Sequence, residues 1–137
     1  MHILRSLGLA TALLAVASVA HGQQADAAAR PVVTPVLTKA LPDYPGKEGL
    51  VLTVAYPPGA SSPLHHHDAY AFVYVLAGSV VMAVQGGEEV TLTPGQTWSE
   101  KPGDVHTVSR NASQTKPAKF VVFLLKDVGK PAVIPGP

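Results

Sequence analysis

The sequence predicts an all-β domain, an antiparallel sandwich or barrel, on three observations. Short β-branched apolar runs alternate with Gly and Pro turns along most of the chain. No segment carries a sustained 3.6-residue apolar period. With 13 Pro and 12 Gly, long helices have little room. A chain of 137 residues holds one domain.

The elements follow in order. Met1 to Gly22 has the layout of a secretory signal peptide: Arg5 gives a positive start, Ser6 to Ala20 is uncharged and Leu-rich, and small residues offer cleavage after Ala20 or Gly22. A membrane anchor is the rival reading. The strongly apolar run is shorter than the roughly 20 residues that span a bilayer, and polar His21-Gly22-Gln23-Gln24 follows it without a cationic stop. Export to the periplasm or the exterior, without stable membrane insertion after cleavage, is therefore expected. Residues 23–33 read as a mobile Ala-rich arm, 34–128 as the barrel domain, and 129–137 as an extended Pro-rich tail. Within the domain, Leu50 to Tyr56 is a strand stopped by Pro57-Pro58-Gly59. Ala71 to Leu76 and Ser79 to Gln85 flank Ala77-Gly78, and Glu89 to Thr93 ends at Pro94-Gly95. Gln96 to Glu100, Val105 to Ser109 and Lys119 to Lys126 complete the set.

Composition excludes several function classes. The net charge is +1, so no basic surplus exists to neutralise a run of phosphates, and no nucleic-acid partner is expected. Loss of Arg5 with the leader leaves acidic and basic side chains in balance. The absence of cysteine removes disulfides, Cys-ligated zinc or iron–sulfur centres, thiol nucleophiles and Cys-linked lipid anchors.

Four histidines remain after the leader, in two places: His65-His66-His67 and, some 40 residues later, His106. Residues i and i+2 of a strand face one side, so His65 and His67 point together and His66 points away. With His106 from a distant strand they make a three-imidazole set for a divalent transition metal. Imidazole alone does not choose among iron, manganese, nickel, copper and zinc. Three protein ligands leave positions open for water or substrate, as in catalytic sites. The histidines by themselves leave another reading open, a solvated cluster with a separately hydrogen-bonded His106.

The surroundings of the histidines carry a resemblance. Gly59-Ala-Ser-Ser-Pro-Leu-His65-His66-His67, continuing through Phe72-Val-Tyr-Val-Leu-Ala-Gly78, resembles the first motif of the cupin superfamily. Gly95-Gln-Thr-Trp-Ser-Glu-Lys-Pro102-Gly103-Asp-Val-His106 resembles its second. The resemblance covers Gly59 to Asn111 and implies a small, single-domain jelly-roll β-barrel with a metal inside near one mouth. Two departures stand out. The family's glutamate should fall at Ala71 or Phe72, and Glu88 and Glu89 lie too far along to replace it. Pro102 sits directly before the glycine, and Asn111 comes one residue later than the family's asparagine. Ala71 shares parity with His65 and His67, so the expected centre has three histidines and no charged ligand, which resembles some cupin dioxygenases. The competing reading is a cavity that has lost its metal.

Lesser candidates are Asp104, as a partner orienting His106 or as a turn residue, and Tyr70 and Tyr74, as ligand donors or barrel packing. Trp98 reads as core or cavity wall; Asp68 falls on the side of His66. Asn111-Ala112-Ser113 matches the glycan-acceptor pattern by chance. The expected function is an exported cupin-type metalloprotein acting on a small organic substrate, an oxidoreductase of dioxygenase type. Its catalytic residues are unknown beyond the ligands. The alternatives are a non-catalytic module binding a small molecule or metal, and, last, a metal-free epimerase-like enzyme. A homodimer formed through barrel edges, with exchange of the Val32 to Lys39 strand, is an open alternative to a monomer.

Overall fold

A computed structural model describes residues 29–136. The leader expected over residues 1–22 and most of the arm expected over 23–33 lie outside them. The described chain is all β, as expected: β1 (Val32–Ala40), β2 (Lys47–Tyr56), β3 (His65–His66), β4 (Ala69–Ala77), β5 (Val80–Val84), β6 (Val90–Leu92), β7 (Thr97–Glu100), β8 (Val105–Asn111), β9 (Ala118–Asp127) and β10 (Ile134–Pro135). Two five-stranded antiparallel sheets, ordered β1-β2-β9-β4-β7 and β10-β3-β8-β5-β6, make a jelly-roll. The histidines, expected at the start of the strand that runs on to Leu76, fall instead in and just after β3, a separate two-residue strand in the other sheet, and β10 lies in the tail expected to be extended.

Alternation decides which side chains enter the core. Along β4, Ala69, Ala71, Val73 and Val75 are buried, while Tyr70, Phe72, Tyr74 and Leu76 are exposed. Along β9 the inward set is Ala118, Phe120, Val122 and Leu124; along β2 it is Leu50, Leu52, Val54 and Tyr56. The opposite sheet adds Val80, Met82 and Leu92 to the same cluster. Burial of these apolar faces, at about 25 cal/mol per Å², is what holds the sheets together. By contrast, β1 pairs only with β2 and has no buried residue.

Two irregularities position the site. In β8, Ala83 pairs with Val108 but Val84 pairs with His106, so Thr107 is an extra, bulged residue. A bulge resets the side-chain parity of its strand. His106, Ser109 and Asn111 are therefore all buried although their spacings mix odd and even. The late asparagine noted in the sequence is this bulge. At Gly78, φ is +70° and a Cβ would stand 2.4 Å from the Pro117 carbonyl oxygen, so the β4–β5 turn requires glycine.

Candidate metal centre

The histidines come to one point from two strands and a loop. β3 pairs with β8 in the register His65–His106, which sets those two side by side, and their rings stack with centroids 4.9 Å apart. His67 follows β3 directly, and its ring meets that of His65 edge-on at 5.1 Å. One ligating nitrogen from each of His65, His67 and His106 lies within 4.8 Å of the others, and all three residues are buried. His66 faces the other way, half-buried, its Nδ1 donating to the Gly136 carbonyl at 2.9 Å.

Each imidazole of the trio is held from behind. His65 Nδ1 donates to the Pro63 carbonyl at 2.7 Å, His67 Nδ1 to the Ala132 carbonyl at 2.5 Å, and His106 Nδ1 to the Val108 carbonyl at 3.3 Å. A carbonyl can only accept, so Nδ1 carries a proton and each ring turns its Nε2 inward. Backing of this kind orients ligating histidines in metal sites. The Ala132 and Gly136 carbonyls come from the tail, which β10 ties to β3 through Ile134–His66 and Pro135–His65. Sequence reasoning gave the tail no part in the site, because backbone acceptors leave no side-chain signature.

The cavity in front of the histidines measures about 70 Å³. Its walls are largely apolar, from Leu52, Val73, Met82, Phe120 and Val122 among others, with Val33 and Val133 also lining it. Ala71 lines it too, as expected. Its hydroxyls are mutually engaged: Tyr56 Oη lies 2.6 Å from Ser62 Oγ and 2.7 Å from Ser109 Oγ. Burial raises the Tyr56 phenol above its ordinary value, with the two serines opposing.

One carboxylate enters this cavity, and the sequence reading missed it. Glu100, buried at 5% exposure, projects from β7 and sets Oε1 2.5 Å from His106 Nε2. Oε1 also accepts from Trp98 Nε1 at 3.2 Å, whereas Oε2 is buried without a partner. The group of mutually close ligand atoms is the expected three histidines without a carboxylate, and Glu100 stands beside it in the cavity. The signal was available: Trp98, read as core or cavity wall, shares strand parity with Glu100. For His106, burial works to lower the pKa, but the hydrogen bond and charge of Glu100 outweigh it and the net shift is upward. For His65, burial prevails over the Pro63 carbonyl and the shift is downward.

The lesser candidates sort cleanly. Asp104 does not orient His106: it closes a turn, accepting from the Lys101 amide at 3.0 Å. Tyr70 and Tyr74 stand on the outer face of β4, half-exposed, and contribute neither to the cavity nor to the core. Trp98 packs against the core. Asn111 is buried, with its amide turned into the protein, so the glycan-acceptor pattern is structural. The donor set fits a divalent cation: one ring nitrogen from each of three buried histidines converges, each ring fixed from behind, next to a buried carboxylate oxygen with no partner.

A family model described as a cupin domain matches residues 52–124. No curated protein matches the chain. Solved structures do. A conserved double-stranded β-helix protein from Klebsiella pneumoniae is 21% identical, with a TM-score of 0.62, over 78% of this chain and 86% of that one. A cupin domain from Bordetella pertussis is 22% identical, with a TM-score of 0.57, over 72% and 96%. The DMSP lyase DddQ from Ruegeria pomeroyi is 24% identical, with a TM-score of 0.57, over 64% of this chain but only 42% of the lyase. At these identities the likeness is one of fold.

Proposed function

The chain belongs to the cupin family, and on that premise we propose that it is an exported metalloprotein whose cavity holds a divalent transition metal on His65, His67 and His106 and acts as a dioxygenase-like enzyme on a small organic substrate. The observation that carries this reading is the convergence of three Nε2 atoms, each ring fixed by a carbonyl behind Nδ1. Iron, manganese, nickel, copper and zinc all accept such donors. Bound there, the ion supplies a Lewis acid and, where redox-active, a site for dioxygen chemistry.

The remaining work falls to the chain. The apolar walls exclude water and so strengthen every charge interaction inside. A volume of about 70 Å³ is well below the roughly 300 Å³ of ordinary ligand pockets. It admits a substrate of few heavy atoms, or the reactive end of a longer one whose remainder stays in the mouth. Export follows from the leader pattern of Met1 to Gly22.

A second reading, a module that binds without turnover, is favoured by one observation. The cavity hydroxyls of Tyr56, Ser62 and Ser109 are spent on one another, and the histidines serve as ligands. The test uses chain without its leader, purified without a histidine tag. Elemental analysis should find about one metal per chain, lost in His65→Ala and His106→Ala but kept in His66→Ala. Oxygen-electrode assays against small thiols, diketones, catechols and flavonols follow. Oxygen uptake supports the enzyme; full metal with no uptake leaves the binding module; no metal in any preparation overturns the metalloenzyme and leaves a cavity for a small molecule. Lyase activity, named for one similar structure, is a further assay on the same samples.

A further inference from the structure

We infer that Glu100 is a fourth protein ligand of the centre, so that the site takes its cation on three imidazoles and one carboxylate delivered from β7. The inference rests on the metal reading of the cavity. It starts from an electrostatic conflict. With Nδ1 of His106 donating to the Val108 carbonyl, the neutral ring presents a lone pair at Nε2. Glu100 Oε1 stands 2.5 Å away and carries lone pairs of its own. Two acceptors at that distance repel unless a positive charge lies between them. A proton is one such charge; a metal ion, shared with His65 and His67, is the other.

A second, independent observation favours the metal. Oε2 of Glu100 is buried and has no hydrogen-bond partner. A lone buried carboxylate oxygen is costly, and in native proteins such an atom marks a missing partner. If Glu100 served only to hold a proton on His106, Oε1 would suffice and Oε2 would remain orphaned. Binding to a cation in the cavity that Glu100 lines gives the carboxylate its counter-charge.

The sheet explains how a residue on β7 reaches this place. Ala71 and Glu100 are register partners across β4 and β7. Cross-strand partners have Cβ atoms about 5 Å apart on the same face. The methyl of Ala71 leaves the volume into which the longer Glu100 side chain extends. Trp98, two residues earlier on the same face, donates to Oε1 and keeps the carboxylate from swinging away. Among the described residues, the ligand atoms that lie within 4.8 Å of one another are those of the three histidines alone. The carboxylate therefore joins them by turning toward His65 and His67, with the orphaned Oε2 as the ligating atom and Oε1 left to Trp98. Neighbouring ligand atoms on one ion then stand roughly 3 Å apart, with bonds of about 2.1 Å. A carboxylate in the set also lowers the net charge of the loaded centre by one, and adds a hard oxygen donor that favours manganese and iron relative to an all-imidazole site.

The experiment is a cobalt(II) titration of metal-stripped protein, followed by visible absorption and by competition with a chelator. Four chains are compared: wild type, Glu100→Gln, Glu100→Ala, and the double variant Ala71→Glu/Glu100→Ala. Thermal unfolding of the stripped chains shows which remain folded. The expected result is a loss of cobalt affinity of about 100-fold or more in Glu100→Gln, a changed cobalt spectrum, and substantial recovery when the carboxylate is moved across the register to position 71. A carboxylate that merely held His106 would compete with the metal for Nε2, and its removal would leave affinity unchanged or raise it. That result in Glu100→Gln overturns the inference while the three-histidine centre stands. No cobalt binding by wild type overturns both. Glu100→Gln preserves shape and decides the matter even if the double variant does not fold.

Discussion

Asn111 offers a demanding test of how the strand carrying His106 is held. It is 1% exposed, and its Nδ2 lies 2.8 Å from the Lys116 carbonyl, 3.0 Å from that of Pro57 and 3.3 Å from that of Tyr56. Its Oδ1 accepts from the Ser113 amide at 2.8 Å. An amide has two hydrogens, so three acceptors share two donors, and the side chain makes about three net bonds. At about 1 kcal/mol each, Asn111→Ala should cost about 3 kcal/mol. For a domain of this size that lowers Tm by roughly 10–20 °C and leaves it folded. Asn111→Asp is the sharper change. It keeps the shape and the Ser113 bond but turns the donor into an anionic oxygen facing three carbonyls. At pH 7 it should be less stable than the alanine variant, and it should gain on alanine as the pH falls, because the protonated acid recovers one donor. Urea unfolding at pH 7 and pH 5, with constant slopes, measures this. Asn111→Asp more stable than Asn111→Ala at pH 7 would refute the reasoning.

Three further predictions follow from named contacts. Deleting Thr107 removes the bulge and forces regular parity on β8, so either His106 leaves the cluster or Asn111 leaves its carbonyls; metal content or stability must fall, whereas Thr107→Ala preserves both. Tyr56 has a raised folded-state pKa because of burial, so its contribution to stability is complete below about pH 10 and vanishes as the pH climbs through the folded value. Ultraviolet titration should show one phenol per chain ionising only with unfolding, absent in Tyr56→Phe. Lys126, 4% exposed, is paired with Glu48 at 2.5 Å. Glu48→Ala should cost about 3 kcal/mol by urea unfolding, since it leaves a buried ammonium with only the Asp127 carbonyl, while Lys126→Met should cost less, because Glu48 at 12% exposure retains some water.

Short-range signals were legible in the chain. Alternation predicted the strands and set Ala71 with Val73 and Val75 on the inner face of β4. Carrying parity from His67 to Ala71 crosses a break, because β3 and β4 are separate strands in different sheets, and their meeting at the cavity comes from the fold. Pairing was not legible, and pairing is where the site is completed. Ala71 and Glu100 are far apart in sequence and adjacent only through the β4–β7 register, so a search for the carboxylate along the strand of Ala71 could not find it. Asp104 lies one residue before β8 begins at Val105, so strand alternation does not relate it to His106. Tyr70 and Tyr74 alternate with the inward residues of β4, which puts both outside the barrel. The displaced Asn111 was visible as an offset, yet only the double register around Thr107 shows that one extra residue restores its burial.

The pairing of β10 with β3 is only two residues long, as is that of β3 with β8. Such a clasp opens at lower free energy than the long ladders beside it. Each opening takes away the oxygen behind His67, whose ring can then turn over and exchange which nitrogen bears hydrogen. On the metal reading proposed above, the dwell time of a cation is tied to fraying at the far end of the described chain, 65 residues from the imidazole it steadies.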